Sequence, residues 1–301
     1  MTEDRHKLAL MVPVFLLCGI AEMLNYNGFM TLFNQRFGSV YLPYIYVAEA
    51  VVLPLEAWFM TWLAGRMTKP GLMRTMFSLM IGIVAFNAIV LLGLRAAGID
   101  FRFYYPFLFL TSNFVVRQQT ILLWSLAVDL CPTQQAKRLM PFFVAAATLG
   151  GVVAGVITQV ASPLLGPDIV YVLGPLFLLA ALYNYRKAIA DYLVPLALRS
   201  AGGLDSQQMT LSSMDYFKRT LKSPFLLSVL GMMTIMPALY FLMEFVFLNT
   251  AHAAYPNEAD FGKMFGVVTT VLFALAFLLQ LVSGRLMAWL GASGMLAGIS
   301  A

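Results

Sequence analysis

Along the 301 residues, long apolar runs alternate with short polar breaks. Eight runs stand out, at about 8–33, 40–64, 72–95, 103–128, 140–162, 168–185, 224–250 and 263–288. Each is long enough to cross a hydrocarbon core of ~30 Å as an α-helix rising ~1.5 Å per residue. Helices are required because no water inside a bilayer could satisfy an open backbone, and the alternating ten-residue pattern of a membrane β-barrel is absent. The pattern predicts an all-α integral membrane protein.

Composition agrees: 61% of residues are hydrophobic, 11% are charged, and the mean hydropathy is +0.82. Soluble domains are roughly 45–50% apolar and about 25% charged. The net charge of +5 would suggest an acidic partner such as nucleic acid, but the placement of the charges argues for topology instead. With the N-terminus inside, fourteen Lys and Arg fall on the cytoplasmic side and four (Arg36, Arg95, Arg102 and Lys263) outside, as the positive-inside rule expects. This predicts a multi-pass protein of the inner (plasma) membrane with a cytoplasmic N-terminus and no nucleic-acid partner. Cys18 and Cys131 make neither a disulfide framework nor a metal-ligand spacing. The first run is too long for a secretion signal and no small-x-small cleavage site follows it.

The longest break, Arg186 to Ser223, carries six basic residues and divides the chain. The domains expected are a six-helix bundle over 1–185, a cytoplasmic loop over 186–223 and a partial second bundle over 224–301. Within the loop, "SSMDYFKRTLK" reads as a short amphipathic helix, with Ser212 and Asp215 in capping-box spacing. Six spans, a long cytoplasmic loop and further spans is the layout of carriers built from two halves that hold substrate at the midplane. The closing "GASGMLAGISA" looks like the start of another helix, so a longer protein is expected; the competing idea is a complete eight-span protein that dimerises.

Five ionisable residues fall inside spans: Glu22, Glu49, Glu56, Arg117 and Glu244. A charge at the bilayer centre costs at least ~2.5–3.5 kcal/mol, so each must face an interior or a wet cavity. Glu49 and Glu56 are seven residues apart, which puts them on one helix face. Asn25 follows Glu22, and Asn113 and Gln118 flank Arg117, completing a candidate substrate-binding or ion-coupling set. Arg117 could hold an anionic group bidentately, and a buried carboxylate could carry a coupled proton. The bland alternative is an internal salt bridge, such as Arg117 with Glu22 or Glu56. Tyr41, Tyr44, Tyr46, Tyr104 and Tyr105 read as an interfacial belt. Gly151 and Gly155, spaced as GxxxG in "TLGGVVAGV", point to close helix packing and not to a nucleotide loop.

Enzyme chemistry has little support. His6 and His252 sit in no metal pattern, and no G-x-S-x-G or phosphate-cradling loop is present. No catalytic residue, metal or cofactor is expected.

The stretch "AVDLCPTQQAKRLMPFF", Ala127 to Phe143, concentrates polar residues between two runs and reads as a cytoplasmic turn. Asp129, Lys137 and Arg138 there are candidates for an intracellular gate, with Asp129 pairing one of the two bases or a neighbouring loop. The wider segment Leu122 to Gly155 resembles the ATP/ADP translocase-like family of the major facilitator superfamily, through Trp124, Asp129, Gln135, Ala136, Lys137, Arg138 and Pro141. "RFGSVYLPYIYVAEAVVLPL", Arg36 to Leu55, and "YFKRTLKSPFLL" are similar to the same family. The resemblance implies a major-facilitator-like fold of twelve helices, which would explain four missing spans. Nucleotide exchangers of that family carry a lysine in the first helix and a glutamate upstream of the Trp in the fourth. This chain has Glu22 in the first and Arg117, Gln118 and Gln119 in the fourth, a departure that argues against ATP/ADP exchange.

The expectation is therefore a secondary active transporter of a small organic solute, with Arg117 pointing to an anion and Glu22 to ion coupling or substrate selection. It would work by alternating access, its partners being the lipid bilayer, the solute and a coupled proton. The alternative is a non-transporting membrane scaffold or sensor on a carrier-like fold.

Overall fold

The computed structural model describes residues 2–131, 133–195 and 223–299, with side chains in the last helix as far as Leu281. Among the described residues the chain is all-α, with eight long helices: α1 (Thr2–Leu32), α2 (Leu42–Ala64), α3 (Lys69–Ala97), α4 (Tyr104–Leu130), α5 (Thr133–Leu165), α6 (Pro167–Ala188), α7 (Pro224–Ala254) and α8 (Glu258–Ile299). Six continuous helical stretches are long and apolar enough to cross a membrane; one of them, Asp4–Ala64, runs through both α1 and α2. Helix α4 is as long as the others, but Ser112, Asn113, Arg117, Gln118, Gln119 and Thr120 make its middle polar.

The interior is largely apolar but holds several polar side chains, while large apolar residues also cover the outside. Polar Asn25, Asn27, Asn87, Gln119 and Thr158 are buried, whereas Phe86 and Ile89 on α3, Val160 on α5 and Leu176 on α6 lie on the outside. Large apolar faces of this kind need an apolar surrounding.

Helix α1 is the axis of the bundle. It packs along α5 and α6 and against α4, while α3 lies behind α4 and α6. Helix α8 lies along α5, and α2 and α7 sit at the edge. Small residues set the α5–α8 spacing: a β-carbon on Gly155 would fall 2.6 Å from the backbone N of Thr270, and one on Gly266 would fall 2.5 Å from that of Gln159. The close packing expected at Gly151 and Gly155 is what the structure shows, with Gly151 against the ring of Phe273. Polar clasps reinforce the seam. Gln280 Nε2 donates to Thr148 Oγ1 at 2.9 Å, and Asn27 on α1 joins Thr158 on α5 to Thr269 on α8, both at 3.0 Å.

Several predicted boundaries move. The break after residue 33 is a π-helical turn, Phe33–Gly38, and a 3₁₀ turn, Ser39–Tyr41, rather than open loop; Phe33 and Asn34 there are buried. The polar stretch read as a cytoplasmic turn is mostly the first two turns of α5, because Leu139 and Phe143 recur at helical spacing and are buried. Helix α6 continues past 185 into a π-helical segment, Ile189–Leu193, whose Ile189 and Leu193 join the core. The amphipathic helix expected at 212–222 lies outside the described residues. The turn from α5 to α6 is made by Gly166, with φ +89°, followed by Pro167 at the first helical position.

Candidate functional site

The ionisable residues of the spans separate into three places. The first joins α2 to α4. Glu49 and Glu56 share one face of α2, two turns apart, and both reach Arg117. The guanidinium donates from Nη1 to Glu49, and from Nη2 to both oxygens of Glu56 at 2.8 and 3.1 Å. Both carboxylates are buried and the Arg117 side chain keeps 27% exposure. The salt bridge weighed from the sequence is present, with Glu49 and Glu56 as partners. Glu22 takes no part in it. Asn113 is half-buried one turn before Arg117 on the same helix.

The second place is between α1 and α4. Gln119 donates from its amide to the Cys18 carbonyl at 2.8 Å and to Glu22 at 3.1 Å. Gln118, also buried, has no partner on its carbonyl oxygen. Asn25 is 1% exposed with neither amide atom bonded, and it presses on Gly174 of α6, where a β-carbon would overlap its amide. A buried unpaired amide is costly, so Asn25 marks a strained polar spot in the α1–α6 contact.

The third place is Glu244 on α7, which ties α7 to α1 and α2. It accepts hydrogen bonds from the hydroxyls of Tyr26 on α1, Tyr46 on α2 at 2.7 Å, and Tyr240, one turn earlier, at 3.4 Å. Beside it opens a cavity of about 600 Å³, bounded by Tyr26 on α1, Val116 on α4, Glu244 and Phe247 on α7, and Phe265 and Phe273 on α8. Its walls thus come from both sides of the 186–223 break.

Reasoning from the sequence missed the phenols. Tyr46, Tyr104 and Tyr105 are not belt residues: Tyr104 donates to Asn87 Oδ1 at 2.8 Å, Tyr105 donates to Asp100 at 2.7 Å, and Tyr46 binds Glu244. Only the exposure of Tyr41 and Tyr44, 44% and 73%, fits the belt expected for those five.

A second missed group closes the end of the bundle far from the N-terminus. Arg36, counted from the sequence only as an outer charge, forks onto two carboxylates. It donates to Glu258 at the start of α8 at 2.7 and 3.0 Å, and to Asp168 in the first turn of α6 at 2.8 and 3.0 Å. A further bond goes to the Tyr105 hydroxyl at 3.0 Å. Both acids sit at helix N-termini, where the helix dipole favours negative charge. Nearby, Gln35 donates to the Tyr255 carbonyl at 3.1 Å and Ser39 to Asn249 at 3.0 Å, so this end ties α7 and α8 to the first six helices.

At the N-terminal end, Asp129 pairs with Lys69, the first residue of α3, at 2.7 Å, and Arg138 pairs with Asp4 at 3.1 Å. The structure therefore joins Asp129 to the start of α3 and not to Arg138; the side chain of Lys137 lies outside the described residues. Lys7 is buried and donates to Gln135 at 2.8 Å. All of these contacts stay within the first six helices.

Comparison with protein-family models, with curated proteins and with solved structures finds no match to this chain.

Proposed function

We propose that the chain is a secondary carrier that moves a small organic solute across a membrane by alternating access. The supporting observation is the cavity beside Glu244, walled by α1 and α4 on one side of the 186–223 break and by α7 and α8 on the other. A solute held there touches both units, which is what rocking one unit against the other requires. The polar ties at the far end, led by Arg36 to Glu258, fit a state closed at that end. The contacts of α7 with the Phe33–Gly38 and Ser39–Tyr41 turns lie at that same end. The resemblance of Leu122–Gly155 to ATP/ADP translocase-like carriers of the major facilitator superfamily supports the same reading, as does the positive-inside bias for a cytoplasmic N-terminus in a plasma membrane.

The second reading, a non-transporting scaffold or sensor, draws on Arg117. Its guanidinium is engaged by both Glu49 and Glu56, which leaves it poorly placed to hold an anion. The anion expectation from Arg117 is accordingly set aside in favour of the Glu244 cavity.

Reconstitution of the full chain into liposomes separates the two. Preloaded vesicles are assayed for exchange of mixed labelled anionic, neutral and cationic solutes. Exchange above protein-free vesicles is expected for a carrier; none across the three classes sinks the transport reading and leaves the scaffold.

A further inference from the structure

We infer that the Glu244 cavity takes a monovalent organic cation with a flat or bulky apolar body. The inference rests on the carrier reading for its transport meaning but not for binding itself.

Charge comes first. Of the ionisable groups named above within the spans, Glu22, Glu49, Glu56 and Glu244 are carboxylates and Arg117 is a guanidinium. That guanidinium is committed to Glu49 and Glu56. The polar contacts of Glu244 are to the phenols Tyr26, Tyr46 and Tyr240, which donate hydrogen bonds without supplying a positive charge. A carboxylate charge at Glu244 is thus oriented by its three phenol partners and neutralised by none of them. In a low-dielectric wall such a charge attracts a mobile cation strongly.

The walls then select the kind of cation. The lining is largely aromatic and aliphatic: Tyr26, Tyr240, Phe247, Phe265 and Phe273 surround the space, and among the described residues no lysine or arginine lines it. A small hydrated metal ion would find one carboxylate and few other oxygens, too few for a hard-cation site. Aromatic faces beside a single carboxylate instead suit a diffuse, weakly hydrated charge, through cation–π attraction and apolar burial together. A volume of about 600 Å³ is that of a site for a drug-sized molecule.

The test uses tetraphenylphosphonium as probe on the purified full chain in detergent, by equilibrium dialysis. Triphenylphosphine oxide, similar in shape and neutral, and tetraphenylborate, the anionic counterpart, serve as comparisons. The cation should bind saturably and about tenfold or more tightly than either comparison, the scale of a desolvated cation–π and carboxylate contact. Glu244→Gln keeps an oxygen for the tyrosines and removes the charge, so it should reduce binding by a similar factor. Its thermal unfolding is followed in the same preparation to show that it is folded. Equal binding of all three probes by the wild type overturns the inference, and this comparison needs no variant. So does full binding by a folded Glu244→Gln protein. Tetraphenylphosphonium binding without exchange in liposomes leaves the cation site standing and removes the carrier. Exchange of anions without cation binding does the reverse.

Discussion

The α5–α8 seam gives the sharpest test of the packing. Replacing Gly266 by Ala places a methyl group 2.5 Å from the backbone N of Gln159 and 2.9 Å from both its Cα and the carbonyl oxygen of Gly155. These are backbone atoms of a neighbouring helix and cannot rotate aside, so the helices must part by roughly 1 Å to restore ordinary contact. Overpacking of this kind costs about 1–3 kcal/mol. Gly→Ala inside a helix also gains about 0.5–1 kcal/mol from propensity, which obscures the cost if the variant is judged alone. Gly82→Ala in α3 supplies the reference, because nothing lies within 4 Å of the added carbon. The propensity gain is common to both variants and cancels in their difference, leaving Gly266→Ala less stable than Gly82→Ala by about 1–3 kcal/mol. At ~2–4 °C per kcal/mol for a chain of this size, the two melting temperatures should differ by about 2–12 °C. The readout is built in: Cys18 and Cys131 are both buried, so a thiol-reactive fluorogenic dye reports unfolding in detergent. If Gly266→Ala melts with or above Gly82→Ala, α5 and α8 do not meet along these glycines.

Two further outcomes follow from the charged groups. Arg117→Met strands Glu49 and Glu56 and should lower stability by about 2–4 kcal/mol, somewhat less than for a fully buried pair because Arg117 retains 27% exposure. The triple variant Arg117→Met, Glu49→Gln, Glu56→Gln should lose less than the single one in the same dye assay; a larger loss would mean that the ion pair itself holds α2 to α4. Orientation is checked with a membrane-impermeant maleimide on whole cells. Ile99→Cys should label in intact cells and Thr68→Cys only after permeabilisation, and the opposite pattern would reverse the proposed topology.

Element positions were legible because run length and hydropathy decide them. Every predicted run coincides with a helix, yet all the helices except α2 are longer than the runs. Thr133–Leu139 begins α5 although it is polar, since a polar helix end at a headgroup region carries no apolar signal to read. The charged residues were legible as a set but not as pairs. Glu49 and Glu56 are placed on one face by their spacing alone, whereas their meeting with Arg117 depends on how α2 and α4 cross. Sequence spacing says nothing about that angle. The role of Tyr26, Tyr46 and Tyr240 was hidden for a related reason: tyrosine suits both an interface and a buried hydrogen bond, and only the position of Glu244 decides between them. Arg36 was counted for topology because it lies between runs; its fork onto Asp168 and Glu258 joins residues 132 and 222 positions away.

These pairings also divide the polar groups by what a rocking motion would have to break. Arg117 with Glu49 and Glu56, Gln119 with Glu22, Lys69 with Asp129, and Arg138 with Asp4 all lie within the first six helices. Moving together, they would keep the buried Glu49 and Glu56 paired with Arg117, which matters because a buried charge left without its partner is strongly destabilising. Arg36 with Glu258, Ser39 with Asn249, Gln35 with Tyr255, and Tyr26 and Tyr46 with Glu244 all cross to α7 and α8. Among these crossing contacts Arg36 is the one ion pair, and it is only half-buried, with Asp168 of α6 as a second acceptor. If α8 moves away, Arg36 keeps a bidentate carboxylate and loses only Glu258, whose side chain is 34% exposed and can be taken up by water. Parting the units at that end therefore leaves Arg36 paired with Asp168, whereas parting α2 from α4 would strand Glu49 and Glu56, so the carrier we propose would open along the boundary on which the Glu244 cavity lies.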